Sequence, residues 1–147
     1  MSEETYQPPD LMLLGEEHVQ RYQQTDGEVG YLWNGVPTLL LTTTGRTSGE
    51  PRTTPLIFGR DGDDYLVVAS MGGAPQHPNW YRNLLADPSA QIQVRGEHLD
   101  VSAQTADDAA KPRLWGIVTE VWPNYDVYQS RTDRVIPVVV LSPSSRA

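Results

Sequence analysis

The sequence predicts an α+β fold, a mainly antiparallel barrel of about six strands with about three helices packed at its mouth. Two observations carry that expectation. Runs of apolar and β-branched residues follow one another through short Gly- and Asp-bearing turns, so the connections read as hairpins rather than as alternating strand, helix and strand. The chain has 147 residues, about the length of one typical domain, and can bury a useful core.

Residues 1–10 contain Pro8 and Pro9 among few apolar groups and read as a flexible tail, leaving 11–147 as one domain. A helix is expected over Leu11 to Gln24, with Leu11, Leu14, His18, Val19 and Tyr22 along one side and Gly15 as its weak point. The apolar run Val36 to Leu41 leads into a first strand over Thr38 to Thr44. Further strands follow over Thr53 to Arg60 and, after the turn Asp61-Gly62-Asp63-Asp64, over Tyr65 to Ser70, which makes the first three a meander. Pro78 suits a first helical position; Trp80, Leu84 and Leu85 then keep near-helical spacing until Asp87-Pro88. Gln91 to Val94 and His98 to Ala103 alternate as a hairpin around Gly96-Glu97. Thr105 with Asp107 and Asp108 opens another helix whose apolar stripe is Leu114, Trp115, Val118, Val121 and Trp122, with Pro112 marking a kink or the true start. Val135 to Leu141 closes the barrel.

Composition excludes several classes of function. There is no cysteine, hence no disulfide, thiolate metal site or cysteine nucleophile. His18, His77 and His98 lie far apart without an HExxH or HxH companion, so no metal site is expected and each reads as a surface or capping residue. No GxSxG elbow occurs, and Gly72-Gly73 is not a GxGxxG fingerprint. Without an apolar run of about 20 residues, and with the acidic start Met1-Ser2-Glu3-Glu4, a cytoplasmic protein is expected. The acidic polar face of the first helix speaks against attraction to anionic lipid.

The net charge is −8 and the pI near 4.7, so the placement of the few cations is informative. Arg21 is the only basic residue ahead of Arg46, whereas Arg46, Arg52 and Arg60 arrive together against Glu50 alone. Arg46 and Arg52 bracket a turn, Thr42 to Arg52, that is rich in hydroxyls and carries Gly45 and Gly49 for positive φ. Two guanidiniums at the ends of one such connection can converge on a phosphate or carboxylate. The plainer reading is a solvated glycine-rich hairpin with inert arginines. A local cationic spot on an acidic chain suits a small anionic ligand and not a nucleic acid, which asks for a broad basic face.

Three ordered blocks then carry a resemblance. They are Leu41-Thr42-Thr43-Thr44-Gly45-Arg46 through Gly49 to Pro51-Arg52; Val68-Ala69-Ser70, a glycine loop and Pro78-Asn79-Trp80-Tyr81-Arg82-Asn83-Leu84; and Trp122-Pro123-Asn124-Tyr125-Asp126-Val127-Tyr128-Gln129 with Thr132-Asp133-Arg134 and Ile136-Pro137-Val138-Val139. Together they resemble the deazaflavin (coenzyme F420)-dependent nitroreductase family of split β-barrel oxidoreductases. The resemblance implies hydride transfer from reduced F420 to an electron-poor acceptor, a quinone, enone or nitroaromatic. It implies cofactor contacts from Arg46, Thr47, Ser48, Arg52, Arg60, Ser70, Met71, Gly72, Gly73, Trp80 and Asn83, and acceptor-side roles for Tyr125 and Tyr128, which three-residue spacing sets on one face of a helical turn. Packing alone is the competing reading for Trp80 and for both tyrosines. Thr47 stands where relatives often carry lysine, and Trp122 where some carry a third tyrosine. An FMN enzyme of the same barrel class, or a non-catalytic carrier of deazaflavin or lipid, is the alternative. No oligomeric state is inferred.

Overall fold

The computed structural model describes residues 15–146. The tail expected over residues 1–10 and the first four residues of the helix expected from Leu11 lie outside the described residues. That helix, α1, runs Gly15–Thr25; strands β1 Leu32–Trp33, β2 Val36–Thr44, β3 Pro51–Ile57, β4 Gly59–Asp61 and β5 Asp64–Val68 follow. A short 3₁₀ turn, Met71–Gly73, precedes α2 Asn79–Ala86; then come β6 Ser89–Val94, β7 Glu97–Thr105, α3 Lys111–Val121, α4 Asn124–Ser130 and β8 Val138–Arg146.

The expected α+β antiparallel barrel is present, with eight strands among the described residues in place of about six, and four helices in place of about three. The two extra strands, β1 and β4, are too short to show a periodicity. The run read as one strand over Thr53 to Arg60 breaks at Phe58, and the break has a topological reason. The sheet runs β1-β2-β6-β7-β8-β5-β4, with β3 paired to β2 from Thr38↔Ile57 to Thr44↔Pro51. Hence β3 and β4 belong to opposite ends of the sheet while a single residue separates them in the chain. The sheet must therefore curl until its ends meet, and Phe58 is the seam: its N–H donates to the Pro37 carbonyl at 3.2 Å while its ring is buried in the barrel. The expected meander is two hairpins, β2–β3 and β4–β5, divided at this seam.

Alternation along the strands sorts the apolar side chains into two cores. The barrel interior collects Leu39, Leu41, Val67, Ile92, Val101, Val139 and Leu141, together with Trp80, Tyr81 and Leu84 from α2. On the outer face of β5 and β8, Leu66, Val68 and Val138 pack against Leu114, Val118, Trp122 and Tyr125 of the α3–α4 region.

Three boundaries differ from the sequence reading for local reasons. Thr105 ends β7, paired with Val139, and does not open a helix. Asp107 instead accepts the Ala110 N–H at 2.9 Å, and α3 begins at Lys111 with Pro112 in its first turn, where a missing N–H costs nothing. Pro78 is the residue before α2, and its carbonyl accepts the N–H groups of Tyr81 and Arg82. β8 starts only after Pro137 and extends through polar residues to Arg146, held by its ladder with β7 and not by hydrophobic alternation. Helix α1 is tied to the barrel through Tyr22, whose hydroxyl donates to the Thr38 carbonyl at 2.9 Å and accepts from the Arg95 N–H at 2.8 Å. Burial pushes that phenol up to about 12. Among the described residues no helix is long and apolar enough to cross a membrane.

Candidate functional site

Two adjoining cavities lie along β3. The first is an apolar slot of about 460 Å³ lined by Pro55, Leu56 and Ile57 of β3, by Trp122, Tyr125 and Tyr128 from the α4 region, and by Ser70, Met71 and Gly72. Its aromatic wall is a set of tilted and edge-on ring contacts: Trp33 lies 5.7 Å from Trp122 and Tyr125 lies 6.1 Å from Tyr128, centroid to centroid. The Trp122 indole N–H donates to the Tyr128 hydroxyl oxygen at 3.3 Å, which occupies a lone pair and leaves the phenolic hydrogen available. Tyr125 is buried, and its phenol is held well above the usual range by that burial and by neighbouring Tyr128.

The second cavity is a polar groove of about 540 Å³ bounded by Gly45, Arg46, Thr47, Ser48, Arg52 and Asn83. Its geometry follows from the turn the sequence singled out. Gly49 takes φ +75°, and the turn closes through the Gly45 N–H to the Glu50 carbonyl at 2.8 Å. A Cβ on Gly45 would stand 2.7 Å from the Ser48 hydroxyl oxygen. Asn83, buried on α2, fixes the turn from below. Its Oδ1 accepts the Arg46 backbone N–H at 3.2 Å and Nη1 at 2.8 Å, while its Nδ2 donates to Thr43 Oγ1 at 3.1 Å. Arg52 is exposed and donates to Ser48 Oγ at 3.4 Å. Thr54, Asn79 and Trp80 line both cavities, so groove and slot form one continuous site, cationic at one end and aromatic at the other.

The glycine loop between β5 and α2 borders the slot in a conformation few side chains permit. Met71, Gly72 and Gly73 have φ of +47°, +66° and +87°. A Cβ on Gly73 would sit 2.6 Å from the Tyr128 carbonyl oxygen, so glycine is required for α4 to approach the loop. Arg134 holds the loop in place: it donates to the carbonyls of Ala74 at 2.7 Å, Ala69 at 3.1 Å and Ser70 at 2.7 Å, and to His77 Nδ1 at 3.0 Å. Burial and the charges of Arg134 and Arg82 lower the His77 pKa, consistent with a neutral ring whose Nδ1 accepts.

The structure thus brings Arg46, Thr47, Ser48, Arg52, Trp80 and Asn83 to the groove, and Ser70, Met71, Gly72, Tyr125 and Tyr128, again with Trp80, to the slot. Gly73 stands behind the slot as a packing contact. Arg60 does not join them. It donates to the carbonyls of Asp64 and Gly62, stacks 4.0 Å above Tyr65, and borders a separate depression with Asp63 and Glu97. Further slot residues were not expected as site residues. His18, read as a surface or capping residue, is buried, donates from Nε2 to the Gly30 carbonyl at 2.8 Å and lines the slot. Trp33 and Thr38 line it as well. His18 shares an apolar helical stripe with Tyr22, which was the available signal; nothing local marked Thr38. Among the described residues no group of three metal-ligating side chains occurs.

Residues 14–143 match the model of the family described as F420H(2)-dependent quinone reductase. The chain is 48% identical over 129 residues to the F420H(2)-dependent quinone reductase Rv1261c of Mycobacterium tuberculosis, covering 85% of this chain and 87% of that protein. Among solved structures, an F420-H2 dependent reductase, FDR-A, superposes with a TM-score of 0.68 at 38% identity, over 72% of this chain and 94% of that one. A chain described as a domain-swapped dimer superposes with a TM-score of 0.70 at 35% identity, over 86% and 95%. This chain belongs to the F420H(2)-dependent quinone reductase family, and is an F420-dependent reductase on a split β-barrel.

Proposed function

We propose that the groove holds the phosphate and anionic tail of F420, that the slot holds its ring against the acceptor, and that the preferred acceptor is a quinone. The observation that carries this reading is the continuity of the two cavities through Trp80. A ligand that is planar at one end and anionic at the other is matched by an aromatic slot running into a two-arginine groove. When bound, the reduced cofactor supplies a hydride from C5 of its ring.

The residues of the chain supply the rest. Arg46 is held by Asn83 and Asn79, so its guanidinium meets an anion without having to be ordered first. Arg52 lies across the same groove and adds the second fork. Thr47 offers a hydroxyl where a lysine would add charge, which leaves the two arginines as the main electrostatic anchor. The amides of Met71 and Gly72 and the Ser70 hydroxyl would serve the polar edge of the ring, while the Gly73 N–H is spent on the Ser70 carbonyl. Burial by the aromatic wall excludes water from the reacting faces, and an acceptor stacked there is oriented for transfer.

Charge accumulates on one acceptor oxygen as two electrons arrive, and Tyr128 is the group that meets it. Its oxygen already accepts from Trp122, so its hydrogen is directed to another partner. Tyr125, with its phenol pushed above the ordinary range, stays protonated and acts as a hydrogen-bond donor and wall, not as a source of free protons. Enones and nitroaromatics are planar enough to enter the same slot as secondary acceptors. The FMN alternative gains no support from the family match, which specifies F420H2.

The test is a fluorescence titration with oxidised F420 beside FMN at one ionic strength, followed by turnover of reduced F420 with menadione, cyclohexenone and a nitroaromatic. Saturable F420 binding with weak FMN binding and fastest turnover on menadione is expected. FMN preference, or menadione turnover no faster than the others, overturns the reading.

A further inference from the structure

Thr38 is an anomaly in an otherwise well-satisfied site. The residue is 2% exposed, yet Oγ1 has no hydrogen-bond partner among the described residues. Its backbone is fully engaged: the N–H donates to the Tyr31 carbonyl at 2.6 Å, and the carbonyl accepts the Tyr22 hydroxyl at 2.9 Å. These main-chain bonds do not use the side chain, and valine, equally β-branched, would suit the strand without burying an unmatched hydroxyl. His18, which also lines the slot, has committed Nε2 to the Gly30 carbonyl.

Thr38, whose hydroxyl is orphaned, is one of the residues that line the apolar slot, and register places it at the end away from the arginines. Thr38 pairs with Ile57, whereas Arg52 pairs with Thr43, five residues further along β2. At about 3.4 Å per residue that separation is about 17 Å. The anionic half of a ligand anchored by Arg52 lies remote from Thr38, and the remaining polar need at the far end is that of the acceptor.

We propose that Thr38 is a specificity-determining residue, whose Oγ1–H donates a hydrogen bond to the second carbonyl of a quinone while the first carbonyl faces Tyr128. This rests on the proposed quinone reading of the slot. Two hydroxyls, one on β2 and one on α4, then address the two oxygens of a para-quinone, and an enone with one carbonyl can satisfy only one of them. The slot thereby distinguishes a dicarbonyl acceptor from a monocarbonyl one by chemistry and not by size.

The test compares Thr38→Val, Thr38→Ser and the parent enzyme. In Thr38→Val, the ratio of kcat/KM for menadione over that for cyclohexenone falls by about tenfold, mainly through KM, and Thr38→Ser restores it. Quenching of tryptophan fluorescence from Trp33, Trp80 and Trp122 gives menadione affinity for the cofactor-free protein, where the same loss is expected. The melting temperature of Thr38→Val is equal to or above that of the parent, because no protein partner is lost. The proposal is overturned if the variant weakens F420 binding, which would put the hydroxyl against the cofactor; if both acceptors lose equally; or if the protein melts lower. Failure of the parent enzyme to reduce menadione would sink the quinone reading itself, a result separate from every Thr38 comparison.

Discussion

The two ends of the site are built on different principles. The groove is made of exposed side chains on a turn, Arg46, Thr47, Ser48 and Arg52, held by hydrogen bonds to Asn83 and to one another. The slot is made of residues that are also core: Trp80 belongs to the barrel interior, and Val68, Trp122 and Tyr125 belong to the layer under α3 and α4. Recognition by the exposed side chains of the groove can therefore change without disturbing the fold, whereas a change at Trp80, Val68, Trp122 or Tyr125 in the slot is also a change in packing. The difference teaches where variation in this architecture is cheap.

The largest expected effect breaks the slot. Trp122 is 2% exposed, stacks on Trp33 and donates to Tyr128, so Trp122→Ala should lower stability by about 3–5 kcal/mol in urea denaturation. Trp122→Phe keeps most of the packing but removes the N–H. It should lose far less stability while slowing menadione turnover, because the Tyr128 hydroxyl is no longer directed. A Phe variant with parental turnover would leave the indole a packing group only.

Next in size is the clamp that holds the loop at the edge of the slot. Arg134 makes four bonds to the loop from Ala69 to His77, three of them to carbonyls. Arg134→Gln should cost about 2–3 kcal/mol, in line with bonds to a charged group, and should weaken F420 binding without touching either proposed ligand half. Stability loss with unchanged affinity would mean that the loop keeps its shape unaided.

The groove predictions are smaller in their effect on ligand binding, and those at the exposed arginines should leave stability alone. Arg52→Ala is expected to weaken F420 binding by about 10- to 100-fold, the equivalent of one charge-assisted bond, at nearly constant melting temperature. Arg46→Ala and Asn83→Ala act through one unit, so the double variant should lose about as much F420 affinity as Arg46→Ala alone. Additive losses would show Asn83 to contact the ligand independently.

The same contrast explains what could be read from the chain beforehand. Strands β2 and β3, the β6–β7 hairpin, α2 and the Arg46–Arg52 turn are local patterns, legible because alternation, turn residues and charge lie within a few positions of one another. The seam at Phe58 is not local; it is fixed by where the two ends of the curled sheet meet. Arg60 looked like a third member of the cationic cluster by proximity in sequence. The register of β4 with β5 instead sets it over Tyr65, its cross-strand partner, and the Asp61–Asp64 turn absorbs its donors. Arg134 was visible only as part of a block, because its partners lie about sixty residues earlier. His18 and Thr38 become slot residues through long-range packing, and an unpartnered hydroxyl has no sequence signature at all.

The smallest expected effect tests whether the clamp depends on protonation. Arg134 can donate to His77 Nδ1 only while that nitrogen carries no proton, and burial together with Arg134 and Arg82 depresses the His77 pKa below its ordinary 6.5. The unfolded chain, with the ordinary value, then binds more protons than the folded one between the depressed pKa and 6.5. The histidine's contribution is therefore fully present above that window and is lost as pH falls through it. Exposure of the ring keeps the slope small. Melting curves from about pH 7.5 to 5 should show the parent losing more stability than His77→Asn, whose side-chain oxygen can accept from Arg134 at every pH in that range. Because the acidic residues common to both proteins cancel in the comparison, parallel curves would exclude His77 as the titrating element. The clamp would then be insensitive to pH, and the slot's geometry with it.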